Sequence, residues 1–497
     1  MPRLFLRVIP TVSIPLHFSR LYTTASRQIL PSQTITHVLK HAPLNSPVTI
    51  HGWVRTVRVQ KEVCFAHVND GSNVTGIQVI LNEEQAKRLT TGTSVRMEGI
   101  LVASLGEEQT RELQAREVAV LGKCNGETYP LQKKHHGIEF LRENAHLRTR
   151  ANSGSAVMRI RSAAVAGFHK FFEEQEFINV HTPILTSHDC EGGGEVFKVT
   201  PVSAPSVLSS SAASLPATFE FFGRTVYLTV SGQLHAEILA SALSRVYTFG
   251  PVFRAESSHT SRHLAEFWML EAEVAFIDSL SHLLDLTEAS IRSVIQHILD
   301  TCGPDLALFN KFTDPTLLAR LRSTADKPFV RMTYTEAVAV LERAQQAAKT
   351  NFAFPPRWGS ALQSEHERYL STNHCAHPVF VTDYPGWLKP FYMRTNTSDG
   401  PDNPHATVAC TDLLVPGIGE LVGGSMREER FEVLADRMRE AGLDLEEYAW
   451  YLDLRRYGTV PHGGFGIGFE RFIAYVTGLE NVRDVVACPR WVGSCRF

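Results

Sequence analysis

The stretch FRAESSHTSRHLAEFWMLEAEVAF, residues 253–276, places a polar loop between two strand-like runs. Alternate residues of a strand point to one face, so Arg254 and Glu256 share a face of the first run. Phe267 follows on the second run. These side chains offer a positive charge for a phosphate, a carboxylate that can hydrogen-bond to a base, and a ring on which a base can stack. An ordinary hairpin with a solvated charged tip is the alternative, but the combination favours a site for ATP.

A second pattern, GGFGIGFER at residues 463–471, predicts a strand that runs into a helix. Glycines in a strand commonly serve close packing, so the stretch alone is weak support for a ligand site. It matches neither the Walker pattern GxxxxGK[ST] nor a GxGxxG placed for a dinucleotide fold. Arg471 at the start of the helix strengthens the functional interpretation, because its guanidinium can stack on a base or hold a phosphate.

The chain of 497 residues exceeds what one hydrophobic core usually organises, so we expect at least two folded units. Residues 45–125 alternate apolar and polar positions in short runs, which predicts a five-stranded barrel of oligonucleotide-binding (OB) size. A hinge connector at 126–150 precedes a longer unit at 151–497. That unit begins with a helical pattern over 155–177 and contains a Ser/Ala/Pro-rich run at 201–216, interpreted as a flexible insertion. The predicted fold class is α+β.

The N-terminal segment differs in charge from the rest of the chain. Residues 1–61 contain eight Lys or Arg, and the first acidic residue is Glu62. Arginines among apolar and hydroxyl residues are typical of a mitochondrial presequence, which forms a helix with one cationic face. We therefore predict a presequence at residues 1–22 and a mature protein in the mitochondrial matrix. A disordered basic arm that touches RNA is the alternative.

Composition, cysteine spacing and net charge exclude several kinds of structure and limit how a nucleic acid could be bound. No apolar run reaches the roughly 18 residues that a membrane-spanning helix needs, so we predict no membrane anchor. Eight cysteines occur without a CxxC pair, and we expect neither structural zinc nor a disulfide framework. The net charge of −3 means that a nucleic-acid partner must be held by local basic patches.

Three segments, in order, resemble the signature motifs of class II aminoacyl-tRNA synthetases. Phe168 to Pro183 resembles the first motif, a dimer-forming helix and strand; FRAE with RHLAEF resembles the second, and GFGIGFER the third. With a barrel before them, the motifs are similar to the subclass that charges aspartate, asparagine and lysine. The resemblance implies an OB-fold anticodon-binding domain, a catalytic domain with an antiparallel sheet flanked by helices, and a homodimer. It also implies an ATP-dependent reaction with Mg²⁺.

The resemblance assigns nucleotide-binding roles residue by residue. It implies that Arg254 and Arg471 are catalytic, because they stabilise charge on the reacting phosphate. The implied ATP-binding residues are Arg254, Glu256, Arg262, His263, Phe267 and Arg471. The implied magnesium ligands are Asp412 and Glu420, for which a polar pair at a strand end is the alternative. Hard oxygen ligands suit Mg²⁺ that also binds phosphates.

Asparagine is the predicted amino acid, ahead of aspartate and, more distantly, lysine. Arg427 resembles the arginine that asparagine and aspartate enzymes aim at the substrate side-chain oxygen. Aspartate enzymes add a lysine where Ala236 stands, and loss of that cation disfavours a carboxylate relative to an amide. Glu271 adds a carboxylate that repels aspartate. Alternatively, Ala236 is only a packing residue. The implied amino-acid-binding residues are Ser231, Gln233, Ala236, Glu271 and Arg427.

In the barrel, Phe65 and Gln78 resemble the pair that stacks on and hydrogen-bonds the central anticodon uridine. Arg55 and Arg58 are predicted phosphate contacts nearby. Alternatively, Phe65 belongs to the barrel core. The implied macromolecular partner is tRNA(Asn).

Two other classes of protein stay open at this point. A non-catalytic RNA-binding paralogue would keep the fold. The intact residues Arg254, Glu256, Glu420 and Arg471 argue against it. An ammonia-using asparagine synthetase would share the catalytic fold, but it has no anticodon to read and hence no need of the barrel.

Overall fold

The computed structural model describes residues 30, 32–60, 63–106, 109–134, 136–188, 195–201, 221–396 and 405–497. The predicted presequence lies outside these residues, and so does the predicted insertion except Pro201. The described chain forms two compact units that divide between residues 123 and 124, with residues 73–75 grouped in the second. None of the described helices is both long and apolar enough to cross a bilayer.

The first unit is a closed barrel of five strands. Its elements in chain order are α1 (Ile35–His41), β1 (Pro47–Val59), β2 (Cys64–Asn69), β3 (Ile77–Leu81), α2 (Glu83–Lys87), β4 (Ser94–Ala103) and β5 (Arg111–Gly122). The strand order around the barrel is β1-β2-β3-β5-β4. On β2, the side chains of Cys64, Ala66 and Val68 enter the apolar core, as alternate residues must when one face is buried. The predicted five-stranded barrel is confirmed.

The second unit is built on one eight-stranded sheet. Its helices and strands in chain order are α3 (Ile138–Glu143), α4 (Ala145–Arg148), α5 (Asn152–Glu174), β6 (Ile178–Asn179), β7 (Leu185–Thr186), β8 (Tyr227–Leu228), α6 (Gln233–Leu243), β9 (Arg245–Phe253), β10 (Glu266–Ala275), α7 (Leu280–Thr301), α8 (Gly303–Phe312), α9 (Leu317–Asp326), β11 (Val330–Thr333), α10 (Tyr334–Gln346), α11 (Ser364–Arg368), β12 (Val379–Thr382), β13 (Cys410–Val415), β14 (Gly419–Met426), α12 (Phe431–Glu440), α13 (Ala449–Arg456), β15 (His462–Gly468) and α14 (Phe469–Thr477).

The large sheet has the strand order β11-β12-β13-β14-β15-β10-β9-β6. Its inner pairs are antiparallel, while the outermost pairs β11–β12 and β6–β9 are parallel. One face of the sheet is apolar and covered by helices; the opposite face is apolar along β12 and β13, where Val379 and Leu414 enter a second core, and polar along β10. The predicted α+β class is confirmed, with strands β9 and β10 at the positions that the sequence pattern predicts.

Strand β10 shows how this sheet separates its two faces. Leu270, Ala272 and Val274 are buried in the apolar core beneath helices α5, α7 and α14. The intervening residues Glu271 and Glu273 point to the opposite face, as the period of two requires. Both glutamates are also buried, so this second face carries ionisable groups away from solvent.

Helix α5 differs from its predicted bounds by three residues at each end. It runs Asn152–Glu174, whereas the apolar spacing predicts 155–177. Glu176 adopts a φ of 61°, in the left-handed region, and the right-handed helix cannot continue through it. The predicted core face is correct: Phe168 is fully buried, and its ring centre lies 5.2 Å from that of Phe472.

Candidate active site

A cavity of about 280 Å³ opens over the polar face of the sheet, where β14, β15 and β10 lie side by side. It gathers residues from both of the sequence patterns described above. The predicted ligand-binding residues that line it are Ser231, Gln233, Arg254, Glu256, Arg262, His263, Phe267, Glu271, Asp412, Glu420, Arg427 and Arg471. The fold therefore brings together every residue predicted to bind ATP, metal or amino acid, except Ala236.

The predicted nucleotide-binding residues also contact one another. The guanidinium carbon of Arg254 lies 5.4 Å from the centre of the Phe267 ring, within cation–π distance. Glu256 Oε1 is 3.9 Å from Arg254 Nη1, and Glu256 Oε2 is 3.3 Å from His263 Nε2. Arg471 enters the same cavity from the first turn of α14. The cavity thus offers an aromatic ring, two guanidinium groups and a carboxylate to one ligand.

His263 contributes hydrogen bonding rather than charge. Burial lowers the pKa of this imidazole below its ordinary value; Glu256 opposes the shift, and Arg471, Arg262 and Arg254 add to it. A histidine with a lowered pKa is neutral at pH 7. Among these residues, positive charge for a phosphate therefore comes from the arginines.

Glu367 of α11 joins two parts of the site and was absent from the sequence predictions. Its Oε2 accepts hydrogen bonds from Arg262 Nη2 at 3.0 Å and from the backbone N–H of Glu420 at 3.1 Å. This carboxylate fixes the direction of Arg262. Its sequence signal was weak, because Glu367 stands on a short helix about a hundred residues from the motif it supports.

Asp412 and Glu420 face a common space above Gly423. A Cβ atom built on Gly423 would lie 3.6 Å from Glu420 Oε1 and 3.9 Å from Asp412 Oδ1. Lys389, also missed from the sequence, donates from Nζ to both Asp412 oxygens at 2.8 and 2.7 Å. Arg471 Nη1 donates to Glu420 Oε2 at 3.1 Å. Two carboxylates fit a Mg²⁺ ion whose other ligands are phosphates and water. No set of three or more His, Cys, Asp or Glu in the described residues forms a metal site by itself.

A buried ion pair joins β10 to the end of β14. The Arg427 guanidinium donates through Nε and Nη2 to the carboxylate of Glu273, and through Nη1 to Ser425 Oγ at 2.8 Å. Arg427 and Glu273 are 3% and 1% exposed. Burial raises the pKa of the Glu273 carboxyl to about 7, although Arg427 opposes that shift. Glu273 was missed from the sequence, although it follows Glu271 by two residues and so had to share its face.

Glu271 has different partners. It accepts a hydrogen bond from the Ser231 hydroxyl and another, at 2.8 Å, from the backbone N–H of Gly232. Burial raises the pKa of this carboxyl above its ordinary value, against the effect of the two hydrogen bonds. Glu271 lines the cavity as predicted, but Glu273 is the carboxylate that pairs with Arg427.

Ala236 requires a correction. Its side chain is fully buried in a small apolar cluster with Ala240 and Val246, and it does not line the cavity. The packing interpretation therefore describes Ala236 better than a direct contact with an amino acid.

The predicted anticodon residues lie on the outer face of the barrel strands. Phe65 pairs with Arg58 of β1 and lies between the inward-facing residues of β2, so it is not part of the barrel core. Gln78 of β3 donates to Glu112 Oε2 at 2.9 Å. Arg55 stands on the same strand as Arg58. A ring, an amide and two guanidinium groups thus lie on neighbouring strands.

Comparison with known families agrees with this geometry. Residues 137–492 match the family described as tRNA synthetases class II (D, K and N). The chain belongs to the class II tRNA synthetases. Residues 48–121 match the OB-fold nucleic acid binding domain, so the class II synthetase carries the predicted barrel domain.

Curated relatives of this class II synthetase are similar over almost its whole length. An asparagine–tRNA ligase of Thermosynechococcus vestitus is 49% identical over 471 residues, covering 94% of this chain and 100% of the relative. Another from Desulfotalea psychrophila is 50% identical, covering 93% of this chain and 99% of the relative. These relatives confirm the predicted enzyme class, a class II asparagine–tRNA ligase.

A solved structure is similar as well. The asparaginyl-tRNA synthetase of Pyrococcus horikoshii, complexed with asparaginyl-adenylate, has a TM-score of 0.80 and 30% identity. The match covers 94% of this chain and 100% of that one. Its adenylate supports the prediction that this class II synthetase uses ATP.

The glycines of β15 provide a test of the Glu273–Arg427 pair. A Cβ on Gly464 would collide with the Glu273 carboxylate, which is held in place by Arg427. We expect Gly464→Ala to displace Glu273 and to lower the free energy of unfolding by roughly 3–5 kcal/mol, the usual effect of breaking a buried ion pair. Urea denaturation, followed by a probe in the second unit, measures this change.

Gly466→Ala is the matched control. Its Cβ would lie 2.6 Å from the Met269 methyl group, at the flexible end of a side chain that adapts readily. We expect a loss below about 1.5 kcal/mol, as for tolerated volume changes. Equal losses for the two variants would mean that the Glu273–Arg427 pair does not depend on Gly464.

Proposed function

We propose that this chain ligates asparagine to tRNA(Asn) in an ATP-dependent reaction through an asparaginyl-adenylate, for mitochondrial protein synthesis. The observation that carries the proposal is the single cavity in which Arg254, Phe267 and Arg471 meet the Glu273–Arg427 pair. The first group suits a nucleotide, and the second suits an amide side chain. The predicted homodimer belongs to the same proposal.

In the first step, the α-carboxylate of asparagine attacks the α-phosphorus of ATP, a phosphoanhydride bond breaks and pyrophosphate leaves. Phe267 and Arg471 hold the two faces of the adenine, and Glu256 accepts from its amino group. Arg254, together with the positive charge of Arg471, stabilises the negative charge that develops on the α-phosphate. No protein nucleophile is required, so catalysis consists of positioning and charge stabilisation. The terminal ribose hydroxyl of the tRNA then attacks the adenylate carbonyl and releases AMP.

Magnesium belongs to the proposal through Asp412 and Glu420, the two carboxylates above Gly423 that would hold it. When bound, the ion neutralises charge on the phosphates. Lys389 keeps one of these carboxylates oriented through two hydrogen bonds. Arg262, directed by Glu367, supplies positive charge for the outer phosphates.

Asparagine is selected by the buried pair. Arg427 donates to the side-chain oxygen, and Glu273 accepts from the side-chain amide nitrogen. An amide satisfies both partners, whereas a carboxylate would face Glu273 as a like charge. A site built around hydrogen bonds of this kind rejects a mismatched analogue strongly, because its own buried groups are left unpaired.

ATP–pyrophosphate exchange with single amino acids tests the proposal. We expect exchange with asparagine to exceed that with aspartate or lysine on the order of 10⁴-fold in kcat/KM. Exchange with aspartate alone would instead support the aspartate enzyme. Absence of exchange with every amino acid would support the non-catalytic RNA-binding paralogue.

The barrel provides a separate test of the tRNA assignment. Base stacking on an aromatic side chain is worth roughly 1–3 kcal/mol. We expect Phe65→Ala to lower kcat/KM for tRNA(Asn) by about 5- to 150-fold, as that energy implies. Phe65→Tyr, which keeps a ring, should stay near the parent value. Amino-acid exchange, which needs no tRNA, should be unchanged in both variants; a parallel loss there would contradict a role for Phe65 in tRNA binding.

The mitochondrial part of the proposal is supported by the arginine-rich, acid-free composition of residues 1–22. We expect these residues, fused to a fluorescent reporter, to direct it into mitochondria of a eukaryotic cell. The matched control carries Arg3, Arg7 and Arg20 changed to Glu, which removes the cationic face. Diffuse fluorescence of the unmodified fusion would contradict the localisation.

A further inference from the structure

Glu237 of α6 is a buried carboxylate that lies outside the cavity and contacts the residues behind it. It is 2% exposed. Its two oxygens accept hydrogen bonds from the Tyr451 hydroxyl at 2.9 Å, Arg455 Nη2 at 2.7 Å and His462 Nε2 at 3.2 Å. Gln233, which does line the cavity, donates to it from Nε2 at 3.1 Å. Four donors from three parts of the chain converge on one acceptor group.

This carboxylate also lies behind the arginine of the buried pair. Glu237 Oε1 is 3.9 Å from Arg427 Nε, on the side that does not face Ser425. The same Nε donates to Glu273, which also binds Nη2. Two carboxyl groups therefore lie close to the Arg427 guanidinium, and of the two only Glu273 lines the cavity.

Charge balance in this region depends on Glu237. Two guanidinium groups, from Arg427 and Arg455, are buried with two carboxyl groups, from Glu237 and Glu273. Although burial alone would raise it, Arg455, His462 and Arg427 together lower the pKa of the Glu237 carboxyl below its ordinary value. The group is accordingly ionised at neutral pH. Because burial raises the pKa of the Glu273 carboxyl to about 7, the charge of Glu237 is needed to compensate the two arginines at neutral pH.

We propose that Glu237 determines the preference of the pocket for a neutral side chain, as a positioning residue that compensates Arg427 from behind and orients Gln233. This inference rests on the proposed asparagine activation. With Arg427 compensated by two carboxyl groups, the pocket offers a hydrogen-bond donor without a net positive charge. Such a pocket suits an amide and gives no electrostatic advantage to the carboxylate of aspartate.

Glu237 accounts for the discrimination between amide and acid side chains, which Ala236 does not explain. The side chain of Ala236 packs into an apolar cluster, and it gives the cavity no group that discriminates between amide and acid. The next residue along α6, Glu237, is turned by about 100° around the helix axis and supplies a negative charge that acts through Arg427. We therefore assign discrimination against aspartate to the charge of Glu237, which does not itself line the cavity, as well as to the absence of the lysine.

The test compares amino-acid exchange in full-length variants. We expect Glu237→Gln, which keeps the shape and removes the charge, to lower the asparagine-to-aspartate ratio of kcat/KM by about 10- to 100-fold. The KM for asparagine should rise while the KM for ATP stays unchanged. Glu237→Asp, which keeps the charge, should retain most of the discrimination. An unchanged ratio in Glu237→Gln, or a matching rise in the KM for ATP, would overturn the proposal.

Two further variants separate charge from loss of structure. Tyr451→Phe removes a hydrogen bond to Glu237 without changing any charge, so we expect its asparagine-to-aspartate ratio to match that of the parent. In the double variant Glu237→Gln/Arg455→Gln the charges balance again, and discrimination should recover. If Glu237→Gln does not fold, failure of the double variant to discriminate would overturn the proposal. Failure of the parent chain to exchange with asparagine would instead reject the proposed function.

Discussion

The ion pair between Glu273 and Arg427 constrains the whole centre of the large sheet. Two oppositely charged groups are buried there, and the free-energy cost of desolvating them offsets much of their attraction. Because β15 lies between β10 and β14, the pair can form only if β15 leaves room for the Glu273 carboxylate. Gly464 of β15 provides that room, since any Cβ there would occupy the position of the Glu273 oxygens. The glycine-rich run that resembles a signature motif thus has a packing role and a functional role at once.

Much of the fold could be predicted from the chain, because its signals are local. The alternation that predicts β9 and β10 is a property of successive residues, and it identifies the apolar face as well. The end of α5 was predicted less well. Its apolar spacing continues to Phe177, but the left-handed conformation of Glu176 ends the helix first. That conformation has no signal in the residue type, since glutamate rarely adopts it.

The candidate site was predicted in part, and the missed residues share one property. Motif residues such as Arg254 and Arg471 carry a pattern of neighbours that resembles a family, so they could be identified without a structure. Glu367 and Lys389 lie outside those motifs; their roles become visible only when distant segments bring them to Arg262 and Asp412. Such contacts depend on tertiary folding, which periodicity and spacing do not describe. The error at Ala236 has the same origin, because burial direction on α6 depends on what the helix packs against.

The described residues form separate apolar cores, one inside the barrel and others beside the large sheet, and this separation has a consequence for calorimetry. A chain with more than one core need not melt in a single cooperative transition, and one melting temperature then does not define its stability. Heat absorbed by the barrel says nothing about the strands that hold Glu273. Thermodynamic values assigned to the catalytic strands are meaningful only when the signal comes from that part of the molecule.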